Sequence, residues 1–328
     1  MSTAATKSQF RTPEYWLALI AVCVLSIFYF GMRAAIVIGL ACVTAVLTDF
    51  FCLFLQNKSY RKADISNIAA PIVMVLMFPA TIPYSVVVFS TIFTVAVGTH
   101  VFGSRGSYLF PPAATGYLFA LLCWKDDVLY APHAGVHPLL YGSQETIIQS
   151  TMSSEFNADG ILPVGIFDIL IGNVVSPMGT GSILLLAVIL FVLLLRSSLS
   201  VWSVAGYLFG LSFLANFGRI PALHYLAVNM VVFSMIFLVG DAMVIPKGRL
   251  SLLLGSILTG MLTYYLMDEC ALEYAPVVAV MLTCPLWHAL ADIEERLDAK
   301  FDAMEREAAQ EMMQDVVPAE TEVLHETE

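Results

Sequence analysis

The sequence predicts an all-α integral membrane protein of about ten transmembrane helices in two inverted repeats. Three observations predict it. Apolar runs recur along 328 residues, of which 59% are hydrophobic and only 12% charged. A soluble domain carries roughly 45–50% apolar and about 25% charged residues, so here the bilayer must be the solvent. Lys and Arg sort to one side when the runs cross in turn. Prolines open helices at matching places in the two halves.

The runs fall at 15–32, 34–55, 66–79, 83–102, 111–124, 180–196, 200–217, 224–240, 249–266 and 273–291. The polar start and the lack of a small-residue cleavage site make the first run a membrane helix and not a cleaved leader. Two runs are short and bounded by proline, 66–79 and 111–124. Such segments form broken or tilted helices that line a polar or cofactor-bearing interior. Residues 125–179 are a polar insertion, too long for an ordinary connection and expected to be functional or separately structured. Domain organisation follows: an N-terminal segment 1–14, a first membrane repeat 15–124, the insertion 125–179, a second repeat 180–291 and an acidic tail 292–328.

With the N-terminus in the cytoplasm and ten crossings, twelve of the fifteen Lys and Arg fall inside; Arg33, Lys125 and Arg219 fall outside. The positive-inside rule therefore puts both termini in the cytoplasm, with the insertion external. The net charge of -11 belongs mainly to the tail, where thirteen acidic residues follow Ala289 against three basic ones. No basic patch suggests nucleic acid. In the tail, Ile293, Leu297, Phe301 and Met304 keep a helical spacing, a continuation of the last helix. Beyond Asp315 the composition reads as disordered.

The repeat rests on prolines. Pro83 opens a helix and Pro111 follows; Pro246 opens a helix of opposite direction and Pro276 follows. An inverted repeat commonly places a site at its pseudo-two-fold interface. Gly206 and Gly210 form a GxxxG, read as helix packing. The six cysteines form no CxxC pair and read as small hydrophobes. His133 and His137 have metal-compatible spacing but lack Cys or carboxylate partners, so no metal site is expected. His224 and His288 read as interfacial.

Charges at membrane depth are expensive, which makes them functional candidates. Asp49, near the inner end of the second run, is the clearest. It reads as an ion-path or proton-path residue, or as an interfacial carboxylate near Lys58 or Arg61. Asp241 stands beside Lys247 and Arg249, as a site residue or in a salt bridge.

Several stretches carry a family resemblance over roughly 15–290. They are Asp64-Ile65-Ser66 with Phe78-Pro79-Ala80-Thr81-Ile82-Pro83; the run from Val101-Phe102-Gly103 through Phe110-Pro111-Pro112-Ala113 to Gly116-Tyr117; and Asp241-Ala242-Met243-Val244-Ile245-Pro246. In this order the chain resembles the RnfD subunit of the Rnf electron-transport complex and the related NqrB subunit of the sodium-pumping NADH:quinone reductase. The resemblance implies a urea-transporter-like ten-helix fold and one non-autonomous membrane subunit of a multi-subunit redox pump, in a bacterial inner membrane. It implies electron flow through flavin coupled to Na⁺ or H⁺. It also implies an FMN esterified to a threonine of the external loop, and a second, noncovalent flavin such as riboflavin. Thr151, in Glu145-Thr146-Ile147-Ile148-Gln149-Ser150-Thr151-Met152, is similar in position to the acceptor. Pro111, Pro112 and Asp241 become flavin-site candidates, and Asp49, Asp64 and Asp241 ion-path candidates.

The chain departs from the family pattern. Ile148 replaces a Ser or Thr and Met152 a Pro around the acceptor; Pro111 replaces an Asn; Gly240 and Ala242 replace Thr and Pro beside Asp241. These changes keep two alternatives open: a flavin-free solute transporter or channel of the same fold, or a non-catalytic scaffold subunit.

Overall fold

A computed structural model describes residues 13–57, 67–104, 107–135, 148–218, 222–228, 230–241, 244 and 248–323. Asp64, His137, Pro246, Lys247 and Glu145 to Ile147 lie outside the described residues.

The first half opens with α1 (Pro13–Phe30) and α2 (Met32–Leu55). Gly31 joins them at φ 69°, a left-handed turn that costs glycine nothing. Next, α3 (Ala69–Leu76) is only eight residues and wholly buried. It stops before Pro79, and residues 80–82 run on without helical hydrogen bonds. Their carbonyls are not abandoned in the apolar interior. Arg33 donates to Ala80 O at 2.8 Å, Thr81 O at 2.9 Å and Ile82 O at 3.3 Å. Non-helical backbone at membrane depth survives where protein groups satisfy it in this way.

Pro83 caps α4 (Tyr84–Phe93), which continues as a π-helix over Thr94–Val101. A short hairpin, β1 (Gly103–Ser104) with β2 (Ser107–Tyr108), leads to α5 (Pro112–Cys123). The prolines start this helix where an unpaired N–H costs least.

The insertion is folded. It contains α6 (Lys125–Leu129), the antiparallel pair β3 (Tyr130–Pro132) and β4 (Ile148–Ser150), α7 (Met152–Asp159) and α8 (Ile166–Ile171). It is tied to the membrane body by Gly135 N–H to Tyr29 O, and by Met178 and Gly179 N–H to Phe78 and Leu76 O.

The second half repeats the order: α9 (Ile183–Leu195), α10 (Val201–Ala215), the short α11 (Ala222–Ala227), α12 (Val231–Ser234) with its π-helical extension Met235–Val239, α13 (Arg249–Asp268) and α14 (Ala275–Val323). Packing repeats with it. Helices α2 and α4 run parallel, with Arg33 over the Tyr84 ring at one end and Asp49 on His100 at the other. Helices α10 and α13 also run parallel, with Gly206 against Leu253 and Gly210 against Ile257. The pairs α4–α5 and α13–α14 are both antiparallel, as Phe93–Phe119 and Thr259–Thr283 show.

Five helices are long and apolar enough to cross a membrane, and α5, α9 and α10 are shorter apolar helices. With α3 and the broken α11–α12 segment, ten apolar runs of the sequence become helical. Large apolar side chains face outward on α1, α2, α9 and α10, including Phe28, Leu47, Phe191 and Phe209. Such a belt needs lipid. The protein is a multi-pass membrane protein. One expectation fails: α14 runs on to Val323 through the stretch read as disordered. Ala, Glu and Met dominate residues 303–313 just before that stretch, and their high helix propensity favours the helix that runs on into it.

Candidate functional site

The two ends of the bundle differ in chemistry. The end bearing the insertion is the insertion side; the end from which α14 continues as a polar helix is the tail side.

On the tail side, Asp49 is 3% exposed, six residues before the end of α2. Two neighbours contact its carboxylate. His100 Nε2 lies 2.8 Å from Oδ1, and Asn67 Nδ2 donates to the same oxygen at 3.2 Å. Tyr108 donates to Asn67 Oδ1 at 2.8 Å, which fixes the amide so that its NH₂ faces Asp49. Gln56, exposed at the end of α2, places Nε2 3.3 Å from His100 Nδ1. Among the described residues, the buried Oδ2 of Asp49 has no hydrogen-bond partner. An unmet carboxylate oxygen at this depth costs free energy, which favours a functional reading.

The fold builds this cluster from four segments. α2 supplies Asp49 and Gln56. The π-helical turn of the fourth crossing brings His100 round to them, and π-helical turns are frequent at functional sites. The turn before α3 supplies Asn67, and the hairpin supplies Tyr108.

Asp241 follows the π-helical end of the broken eighth crossing and is 4% exposed. Its carbonyl accepts from Val244 N–H at 2.9 Å. Pro111 and Pro112 open α5. A Cβ added at Gly98 would stand 2.9 Å from Pro112 Cα, so the π-helix and α5 meet backbone to backbone.

On the insertion side, Thr151 is the N-cap of α7. Its Oγ1 accepts from Ser154 N–H at 3.2 Å and donates to the Glu273 carboxylate. The residue is 3% exposed. Burial pushes the Glu273 carboxyl above its ordinary range, while the Thr151 hydrogen bond and Lys125 pull it back. Beside Thr151, residues of α7, α12 and the segment before α9, among them Met152, Ser153, Phe233 and Thr180, line a cleft of about 370 Å³ including its mouth.

The sequence singled out Asp49, Asp241 and Thr151, and the structure keeps them apart in three places. It adds His100, Asn67, Tyr108 and Gln56 around Asp49, and Glu273 against Thr151. His100 carried a signal, being a histidine within an apolar run. Nothing in the sequence linked it to a residue 51 positions away. Among the described residues no group of three His, Cys, Asp or Glu could hold a metal ion. His133 spends its Nδ1 on Ala134 O at 2.8 Å.

Residues 3–287 match the NQR2, RnfD, RnfE family. The chain belongs to that family. Among curated relatives, it is similar to the RnfD-type subunit of the ion-translocating oxidoreductase complex of Methanosarcina acetivorans, 28% identical over 134 residues, which is 41% of this chain and 45% of the relative. The corresponding subunit of Psychromonas ingrahamii is 28% identical over 123 residues, 35% of each chain. That of Actinobacillus succinogenes is 33% identical over 98 residues, 29% of this chain and 28% of the relative. The chain thus spans less than half the length of the curated relatives it matches.

Proposed function

We propose that the chain is the membrane subunit of an ion-translocating electron-transport complex, and that Asp49 lies on its ion path. The buried, half-satisfied Asp49 carboxylate hydrogen-bonded to His100 carries this reading. A carboxylate kept at such cost needs a use, and the named function of the family's curated relatives supplies one. Partners are the other subunits of that complex and the surrounding lipid. The charge bias supports an inner-membrane orientation with both termini in the cytoplasm. Asp241, buried where a broken helix ends, is a second path candidate. Asp64 remains a candidate from the resemblance alone.

The residues around Thr151 do not fit a phosphate-linked flavin. Esterification would turn the hydroxyl into a phosphodiester anion against the Glu273 carboxylate, and like charges at that distance repel strongly in a partly buried site. We therefore assign no electron-transfer step to these residues. Flavin chemistry in the complex, when a flavin is bound, is assigned to surfaces that partner subunits complete.

Two measurements test this. In membrane vesicles energised through the complex, Asp49→Asn lowers ion uptake at least tenfold while Thr151→Val changes it less than twofold. Equal uptake in both variants overturns the path assignment. The denatured chain, made in a host with a flavin transferase, gives no fluorescent band on a gel. A fluorescent band that disappears in Thr151→Val overturns the flavin assignment. Solute flux through the chain alone in liposomes would support the transporter reading instead.

A further inference from the structure

We infer that the ion handled at the Asp49 site is a proton, passed between His100 and Asp49, and not a sodium ion; this deepens the path assignment above and rests on it. Hard cations are held by carboxylate, carbonyl and water oxygens. The bound oxygen of Asp49 instead faces two nitrogens. One is Asn67 Nδ2, whose orientation is set by the Tyr108 hydroxyl on Oδ1. An amide NH₂ has no lone pair to offer a metal, and its hydrogens repel a cation. The other is His100 Nε2, whose partner nitrogen Nδ1 faces the Gln56 amide NH₂. That arrangement fits a neutral imidazole with Nε2 protonated, donating to Asp49. No second carboxylate or group of metal-binding side chains gathers here among the described residues.

A proton fits where a cation does not. Water at the exposed Gln56 end delivers one proton to His100 Nδ1, the Gln56 amide turning so that its Oε1 accepts. The Nε2 proton then moves to Asp49 Oδ1. This leaves a neutral imidazole protonated on Nδ1 and a carboxylic acid at Asp49. Rotation of the carboxyl presents that proton on the Oδ2 side, where the buried oxygen has no partner among the described residues. Imidazole tautomerisation resets His100. One proton enters and comes to rest on Asp49, and no electrons are exchanged. The other titratable groups facing Asp49 among the described residues are Cys52, one turn along α2, and Tyr108 from the hairpin, reached through Asn67.

Inverted membrane vesicles containing the intact complex, energised by the donor it accepts, test this with a pH-sensitive dye and with ²²Na⁺. The expected result is proton uptake in sodium-free buffer, at least tenfold lower in Asp49→Asn and substantially restored in Asp49→Glu. His100→Gln, which removes the relay nitrogen beside Asp49, lowers proton uptake at least tenfold as well. Because Asp49→Asn can disturb assembly, the amount of complex is measured in each variant, and His100→Gln serves as the second arm. Uptake of ²²Na⁺ that persists with a protonophore and is lost in Asp49→Asn overturns the proton assignment while keeping Asp49 on the path. Full uptake of both ions in Asp49→Asn and His100→Gln, with normal complex content, overturns the path assignment itself.

Discussion

The parallel pair α2–α4 and its counterpart α10–α13 occupy matching places in the two halves and are packed in opposite ways. Between α10 and α13 the backbones touch. A Cβ on Gly206 would come 2.8 Å from Leu253 O, and one on Gly210 or Gly260 would overlap the carbonyl of Ile257 or Tyr207. Hydroxyls close the seam: Tyr207 donates to Thr263 at 3.2 Å, Thr259 and Thr283 lie 2.7 Å apart, and Trp287 Nε1 donates to Thr259 at 3.1 Å. All of these side chains are buried and neutral at physiological pH. The α2–α4 pair uses no such glycine seam at its tail-side end. There it holds an aspartate and a histidine, and the oxygen left over has no partner among the described residues. Small residues and hydroxyls bind membrane helices tightly; ionisable groups cost stability and remain where they act. The second half is thus closed by a tight seam of glycines and hydroxyls, and the first half keeps ionisable groups at its tail-side end.

The largest effect is expected at the glycine seam. Gly210→Val forces α10 and α13 apart and costs roughly 3 kcal/mol. Gly39→Val in α2, where an added Cβ meets nothing within 4 Å, leaves thermal stability in detergent nearly unchanged. Equal losses in the two variants would mean the halves are packed alike. A smaller effect comes from the hydroxyls. Thr283→Val leaves Thr259 short of one partner and costs about 0.5–2 kcal/mol, read as a lower melting temperature. It leaves ion uptake where it is, in contrast to His100→Gln.

The insertion side offers a third contrast. The Glu273 carboxyl is raised by burial, so the folded protein binds its proton more tightly than the unfolded chain does. That stability is present below the unfolded value and is lost as pH rises through the folded one. Glu273→Gln therefore raises the melting temperature at pH 8 and has little effect at pH 4; a pH-independent change would refute the buried-carboxyl account. The smallest effect is at Glu294, which accepts from Ser251 N–H at 2.8 Å and Leu250 N–H at 3.2 Å and so caps α13 from the exposed start of the tail. Slight burial pushes its carboxyl up, but those hydrogen bonds outweigh the burial and hold it below the ordinary range. Any gain from it is present near neutral pH and fades as pH falls through that lowered value. Glu294→Gln lowers the melting temperature slightly at pH 7, and less in acid.

Much of the candidate chemistry was legible one residue at a time. Asp49 declared itself as a charge inside an apolar run, and Thr151 by its place in a degenerate motif. Their partners did not. His100 lies 51 residues beyond Asp49 and Glu273 lies 122 beyond Thr151, and no local pattern links such positions. The tail beyond Asp315 was misread because acidic composition alone suggests disorder, whereas α14 carries its helix through it.

Hydropathy and proline act locally and the bilayer enforces them, so the order of amino acids alone dictated the ten apolar runs, the two short ones and the long insertion. Tertiary structure decided which carboxylate stands beside a histidine and which beside a threonine. It also decided that Arg33 would satisfy the broken backbone after α3. Those choices depend on how helices from distant stretches meet, and packing geometry between them is set by the whole bundle.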